Sequence, residues 1–141
     1  MSIIACALHG SAKKKLEAQE NQKKECVDYW PVVVELKGKL SIRTFFGPPN
    51  FGENPKADSK ERSWILSLDK SINVRAKTEA DSILGPSVED VRELQLVLPK
   101  PNRELIGKKV IVKGTIFHAH TGHHHTDVLM DVQSISLAAS D

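Results

Sequence analysis

The sequence predicts a mainly β domain, and three observations support this fold class. Five or six short segments alternate apolar and polar residues with the period of two that is typical of a half-buried strand. From residue 26 onward the one helical signal is a single turn at residues 87–90, where Ser87 is followed three positions later by Asp90. The length of 141 residues suits a single domain with one core.

The first predicted strand has Val34, Leu36 and Leu40 on one face and charged residues on the other. Gly38 in its middle predicts a bulge or a sharp coil, as a small barrel needs where a strand turns a corner. The same alternation predicts further strands at residues 64–68, 72–76, 94–98, 109–116 and 128–133. Residues 69–71 are polar enough to form a turn between the second and third of these strands.

A coiled first strand, a hairpin, an irregular crossover and a last hairpin are typical of the five-stranded OB-type barrel. We therefore expect residues 26–141 to form a small five- to six-stranded OB-like β-barrel. An immunoglobulin-like sandwich is the main competitor, but it would normally have more strands and a buried cysteine pair around a tryptophan.

Residues 1–25 form a polar, helix-prone N-terminal extension, interpreted as a signal remnant or a tether. Its start, Ile-Ile-Ala-Cys at residues 3–6, resembles a bacterial lipobox and makes Cys6 a candidate lipid anchor. A basic region before the apolar stretch, which a complete signal peptide has, is missing here. An ordinary frayed N-terminus is the alternative interpretation.

Composition argues against several functional classes. The net charge is only +2 and aromatic residues make up 5%, so no nucleic-acid partner is expected. No apolar run approaches the roughly 18 residues of a transmembrane helix. The sequence also lacks a nucleophile elbow, a P-loop, a dinucleotide fingerprint and an HExxH motif, so we do not expect an enzyme.

Two connections depart from ordinary turn chemistry, and the first is residues 45–55. Three prolines and two glycines rigidify it, while phenylalanines supply apolar bulk. Phe46 and Phe51 are candidate recognition residues, with Asn50 and Glu53 as polar lining. Alternatively, the rings fold back and close the end of the barrel.

The second connection, residues 117–127, holds five of the six histidines of the chain. Imidazole is the commonest side-chain ligand of transition metals, so zinc, copper or nickel is the expected cofactor if these residues bind a metal. Asp127 would add a carboxylate or orient a ring. The candidate metal ligands are His118, His120, His123, His124 and His125.

Two other interpretations of the histidines stay open. The rings can act as packing and hydrogen-bonding groups that fix two strands, since several neighbouring histidines cannot all reach one metal. They can also act as a pH sensor, because five imidazoles would gain charge as the pH falls through about 6.5.

The loops joining strands one to two and strands four to five border the binding face of an OB barrel, and these are the two unusual connections. We therefore expect one composite site. The leading hypothesis is a small envelope binding module with a divalent metal as candidate ligand. The alternative is a protein-interaction or inhibitor-like barrel, with an envelope protein as partner and structural histidines.

The combination of GPPN at residues 47–50, GKKVIVKGTIF at 107–117 and HAHTGHHHT at 118–126 resembles a bacterial family of small exported proteins of unknown function. The resemblance covers residues 26–136 and implies a signal peptide and a periplasmic or envelope location. Family members commonly begin the domain with Cys-x-Asp-Tyr, as at Cys26 here. The resemblance also implies a second cysteine where this chain has Asn73, which leaves Cys26 either free or paired with Cys6.

Overall fold

The computed structural model describes residues 24–76 and 84–139. These residues form six strands and one short 3-10 turn at Arg103–Leu105. The strands are β1 (Glu25–Asp28), β2 (Val33–Phe46), β3 (Lys60–Arg75), β4 (Val88–Val97), β5 (Lys109–His118) and β6 (Val128–Leu137). None of the helical structure in these two ranges is long and apolar enough to cross a membrane.

Five of the six strands close into a ring. The hydrogen-bonded order is β3-β2-β5-β6-β4, and β4 pairs back onto β3. All of these pairs are antiparallel except β4–β6, which is parallel. β1 lies outside the ring and pairs in parallel with the second half of β3. This is the Greek-key connectivity of an OB-like barrel, so the predicted fold class is confirmed.

The barrel interior is built from the predicted alternation. Val34, Leu36 and Leu40 of β2 are all buried in the main apolar cluster, and Gly38 on the same face is buried as well. The charged residues that alternate with them are more exposed. The other strands contribute one apolar face each. This second group of buried core residues comprises Val27, Leu66, Ile72, Val74, Val91, Leu94, Leu96, Val110, Val112, Ile116, Val128, Met130 and Val132.

Gly38 marks the point at which β2 changes its partner strand. Before it β2 pairs only with β5, at residues 38 and 39 it pairs with both β5 and β3, and beyond them it pairs only with β3. A Cβ at Gly38 would overlap the carbonyl oxygen of Ser67 on β3. The glycine therefore permits a close approach of two backbones at a strand bend, and no bulge is present at this position in the β2 ladder.

Two local predictions were wrong. Residues 64–68 and 72–76 are not separate strands joined by a turn, because β3 runs through Asp69–Ser71 and pairs with β2 and then with β1. Ser87 does not cap a helical turn, since β4 begins at the next residue. Its hydroxyl oxygen instead accepts a hydrogen bond from the backbone N–H of Ala76. In both places strand pairing prevailed over the local polar sequence.

The N-terminal predictions are largely untested. Residues 1–23, with the candidate lipid anchor Cys6, lie outside the described residues. Cys26 lies on β1 directly opposite Asn73 on β3. Cys26 is disulfide-bonded, which excludes the free thiol that the sequence left open.

Candidate functional site

The two unusual connections meet on the outside of the barrel. Residues 47–59, here called the proline loop, join β2 to β3, and residues 119–127, here called the histidine loop, join β5 to β6. The rings of Phe51 and His123 meet edge to face with centroids 6.0 Å apart. A Cβ on Gly122 would lie 2.6 Å from Phe51, so glycine is needed for this contact. The predicted approach of the two loops is therefore observed.

Glu61, near the start of β3, binds two histidines of the histidine loop through its two carboxylate oxygens. His123 donates from Nδ1 to Oε2 at 2.5 Å, and His125 donates from Nε2 to Oε1 at 3.0 Å. Burial raises the pKa of Glu61, but the hydrogen bonds from His125 and His123 outweigh it and hold that pKa below its usual value. The carboxylate thus fixes both rings against the barrel wall.

His125 is also fixed by stacking. Its ring lies parallel to that of Phe45, with an interplanar angle of 1° and centroids 4.1 Å apart. Phe45 and Glu61 are direct partners in the β2–β3 ladder, so one imidazole covers both members of a cross-strand pair. The side chain of His125 is only 9% exposed, which leaves it little access to an external ligand.

Gln95 on β4 anchors the backbone of the histidine loop. Its side-chain oxygen accepts a hydrogen bond from the N–H of His125, and its side-chain nitrogen donates to the carbonyl oxygen of His123. Its own backbone N–H donates to the hydroxyl of Thr126. Gln95 therefore ties the histidine loop to β4, close to the start of β6.

Beneath the histidine loop, four residues form a row across the outer face of the barrel, and three of them are apolar. Ile65, Gln95, Leu129 and Phe117 are in register across β3, β4, β6 and β5. Ile65 and Leu129 are fully buried, although neither belongs to the main core cluster. Since Gln95 binds the histidine loop, we conclude that the loop covers this row. The histidine loop is thus part of the fold as well as a surface.

Two more histidines pack on this row. The rings of His120 and His124 lie 5.9 and 5.5 Å from that of Phe117. Nδ1 of His124 accepts a hydrogen bond from the backbone N–H of His120, so this nitrogen must be unprotonated. Burial and the neighbouring imidazoles lower the pKa of His124 below 6.5.

His118 has different surroundings from the other four. It ends β5, and its Nδ1 donates to the carbonyl oxygen of Ala119. Its Cβ packs against Gly85, where an added Cβ would come within 2.5 Å of it and within 3.1 Å of the Tyr29 hydroxyl. Tyr29 donates in turn to the carbonyl oxygen of Pro86. Burial, with a smaller contribution from Asp127, raises the pKa of Tyr29 to about 12.

A single carboxylate organises the proline loop. Asp58 accepts hydrogen bonds from the backbone N–H groups of Asn50, Gly52 and Asn54 at 2.8, 2.7 and 3.1 Å. Burial raises the pKa of Asp58, but these hydrogen bonds outweigh it and the pKa lies below its usual value. The loop is therefore held by its own backbone around one buried side chain.

Four of the residues predicted to line the site lie at the proline loop, and the fifth, Asp127, lies at the far end of the histidine loop. Phe51 is 44% exposed beside the histidine loop, and Phe46 is 38% exposed next to Gly52 of the proline loop. Asn50 and Glu53 are exposed on the proline loop. Asp127 is exposed at the other end of the histidine loop, where its carbonyl oxygen accepts from the N–H of Ala119. It lines a groove of about 250 Å³ formed with residues 88–93 of β4 and with residues 125 and 126.

The arrangement gives no positive support to the predicted metal site. Across residues 24–76 and 84–139, no group of three or more histidine, cysteine, aspartate or glutamate side chains has the geometry to hold a metal ion. Four of the five histidines use a ring nitrogen in a hydrogen bond to the protein, and the fifth, His120, packs between two rings. Zinc, copper or nickel binding stays a prediction.

Three residues that organise the site were not predicted: Asp58, Glu61 and Gln95. Each is a single polar residue in a polar or alternating segment, and the sequence offers no local mark that distinguishes it from solvent-exposed neighbours. The one usable signal for Glu61 is its position at the start of a strand that follows the proline loop. Its partners lie 62 and 64 residues away, which no short motif can encode.

Comparison with known proteins supports the resemblance in part. Residues 93–136 match the model of a domain of unknown function, DUF4431. The matched segment contains the whole histidine loop, the second half of β4, all of β5 and nearly all of β6, but not the proline loop. No curated protein and no solved structure matches the chain. The match thus covers the half of the composite site that carries the histidines.

Proposed function

We propose that this protein is a binding module of the bacterial envelope, and that the joined proline and histidine loops bind a partner protein. The observation that carries the proposal is the exposure of two rings, those of Phe46 and Phe51, of which Phe51 contacts a histidine loop that is already fixed to the barrel. Aromatic side chains are enriched at protein interfaces because they bury much apolar area at a small cost in conformational entropy.

The internal bonding of the histidines supports a protein partner more than a metal. Glu61 already occupies one ring nitrogen of His123 and one of His125, so a metal would have to bind the opposite nitrogens or replace these hydrogen bonds. The His125 side chain is only 9% exposed, which leaves its second nitrogen little access to a metal. In the proposed function these contacts serve instead to hold the histidine loop rigid. A preorganised surface loses less conformational entropy when it binds its partner.

The envelope location is proposed on two grounds. Cys26 is disulfide-bonded, and disulfides persist in oxidising compartments such as the periplasm. The resemblance to exported bacterial proteins implies the same location. The absence of recognisable catalytic motifs supports binding, as opposed to catalysis, as the activity of the site.

Site-specific photo-crosslinking in cells that produce the protein tests this proposal. A photoreactive phenylalanine analogue would replace Phe46 or Phe51, with Leu137, an exposed apolar residue on β6, as the matched control site. We expect a discrete protein adduct from positions 46 and 51 and none from position 137. Absence of adducts at both loop positions, with the fold intact, would contradict the proposal.

Metal binding is the alternative outcome and is measured on the same protein. The chain is purified without a histidine tag and titrated with zinc, copper and nickel, and its metal content is determined by mass spectrometry. Micromolar or tighter binding that is lost in a His123→Ala/His125→Ala variant would make the loop a metal site. The ligands would then include Glu61, which lies within hydrogen-bonding distance of both rings.

A further inference from the structure

β4 has one open strand edge, on the side of the barrel that carries the end of the histidine loop. One edge of β4 pairs with β3 from Val88 to Leu96, whereas on the other edge only residues 95–97 pair, with β6. Among residues 24–76 and 84–139, no strand pairs with this other edge over residues 88–94. Residues 125–127 of the histidine loop stand opposite it, so a strand edge and a loop border one groove.

The backbone of β4 directs hydrogen-bonding groups into this groove. The N–H of Gln95 donates to a hydroxyl of the histidine loop, so the backbone groups of Gln95 face that loop. In an antiparallel ladder successive residues alternate in direction, and the N–H of Asp90 points the other way, to the side-chain oxygen of Asn73 on β3. The N–H and C=O groups of Val91 and Glu93 therefore face the groove, as those of Gln95 do.

The groove has the size of a short stretch of extended polypeptide. Its volume is about 250 Å³. One residue of a strand takes up roughly 160 Å³, given a rise of about 3.3 Å, a strand spacing of about 4.8 Å and a sheet spacing of about 10 Å. About two residues would therefore fill the groove. They would lie in line with β6, because β6 pairs with the next part of the same β4 edge.

The charges around the groove favour a basic occupant. The lining contains four carboxylates and one guanidinium. Two of the carboxylates, those of Asp90 and Glu93, are already paired with basic side chains. The other two, those of Glu89 and Asp127, are exposed, and neither forms an ion pair with another residue in the described part of the chain. An occupant with lysine or arginine side chains would supply the missing partners.

We propose that the groove binds an extended, basic segment of a partner polypeptide, which adds to the edge of β4 as a strand in line with β6. Its backbone would bond to Val91 and Glu93, and its basic side chains would pair with Glu89 and Asp127. A second copy of the chain is disfavoured as the occupant, since its own β4 edge carries the same carboxylates. This inference does not rest on the partner proposed for the joined loops, because it involves neither of the exposed phenylalanines.

Binding of a defined peptide to the full-length chain tests the proposal. The probe is a blocked octapeptide of alternating threonine and lysine, which combines β-propensity with positive charge. We expect the amides of Val91 and Glu93 to be unprotected in the free protein and to exchange about tenfold more slowly, or slower still, with saturating peptide. Hydrogen exchange resolved by NMR measures this. Spermine matches the charge of the peptide but has no backbone amides, and it should leave their exchange unchanged.

A double variant tests the charges of the groove. Glu89→Gln/Asp127→Asn removes the two carboxylates without an ion-pair partner and should weaken peptide binding about fivefold or more, as measured by calorimetry. Glu35→Gln/Glu104→Gln is the matched control, because it removes the same net charge from exposed positions outside the groove. The control should bind the peptide as tightly as the parent chain does.

Several outcomes would overturn the proposal. Protection of Val91 and Glu93 in the free protein would mean that the chain itself or a second copy already covers the edge, and dilution separates these two cases. Equal effects of spermine and the peptide would reduce the groove to a cation-binding surface. Protection confined to residues 132–137 of β6 would place the added strand elsewhere. Failure of the peptide to bind would also overturn it, while the cross-links expected at positions 46 and 51 would be unaffected.

Discussion

The two loops of the site are fixed by different chemistry. In the proline loop one carboxylate, that of Asp58, accepts three backbone N–H groups of the same loop. In the histidine loop the contacts run between side chains of distant elements. Glu61 binds the imidazoles of His123 and His125, and Phe45 stacks on the second of these rings. The first loop is organised from within, whereas the second depends on the barrel.

This difference predicts different responses to pH. The pKa values of Asp58 and Glu61 are lowered in the folded protein, so the stability that these carboxylates contribute is complete above their ordinary pKa values and is lost as the pH falls through the lowered ones. The histidine loop also contains His124, which must stay neutral to accept its hydrogen bond. Only the histidine loop should therefore respond to pH between 5 and 7.

Removal of Asp58 should have the largest effect on either loop. Asp58→Ala leaves three backbone N–H groups without their acceptor, and hydrogen bonds to charged groups are the stronger kind. We expect the amides of Asn50, Gly52 and Asn54 to exchange about tenfold faster or more. Hydrogen exchange resolved by NMR measures this.

Glu53→Ala is the matched control, because it removes an exposed carboxylate from the same loop. It should leave those three amides unchanged. Equal acceleration in the two variants would mean that the loop responds to its net charge and not to the Asp58 contacts. The histidine loop should keep its protection in both variants.

Removal of Glu61 should have the next largest effect, and mainly on the histidine loop. Glu61→Ala breaks both imidazole contacts and should destabilise the protein by about 1–2 kcal/mol. Glu61→Gln keeps one acceptor oxygen, so its effect should be smaller. Denaturant unfolding measures the stability, and loss of Phe45–His125 ring-current shifts reports the loop itself.

Equal stability of the Glu61→Ala variant and the parent chain would show that Phe45 and Gln95 hold the histidine loop without the carboxylate. Protection of the proline-loop amides should be unchanged in either Glu61 variant. If the amides of both loops lose protection together, the two loops form one cooperative unit and are not stabilised independently.

The barrel could be predicted from the sequence because its determinants are local and repeated. Val34, Leu36 and Leu40 show the period of a strand within a few residues, and burial of that face follows directly. The bend of β3 could not be predicted in this way. Asp69 and Lys70 have the composition of a turn, but the second half of β3 pairs with β1 and with β4, so the strand continues through them.

The site was predictable only in outline. The position of the two loops follows from the strand order of the barrel, so their contact could be expected. Glu61 and Gln95 could not be identified as anchors, because their roles depend on partners that are distant in sequence. Ile65 and Leu129 follow the pattern of outward-facing positions, yet they are fully buried because the histidine loop covers them.

A bulky residue at Gly122 should separate the loops without unfolding either one. The Phe51 ring would have to move, since even a Cβ at position 122 lies 2.6 Å from it. Gly122→Val should therefore cost about 1 kcal/mol and remove the Phe51–His123 ring contact. Nuclear Overhauser contacts between the two rings measure this. Persistence of these contacts would show that the loops adapt around the added side chain.

The smallest expected effect is the pH response of His124. Because its pKa is lowered on folding, the unfolded chain binds the proton more readily, and the related stability is lost as the pH falls below about 6.5. Protonation of Nδ1 removes the acceptor for the His120 N–H, so that amide should exchange a few-fold faster at pH 5.5 than at pH 7.5, after correction for intrinsic rates. His124→Asn offers a side-chain oxygen that does not titrate, and this variant should show no such change. The amide of Asn50, bound to Asp58, should be constant over the same range in both proteins, so a parallel change there would contradict the distinction between the loops.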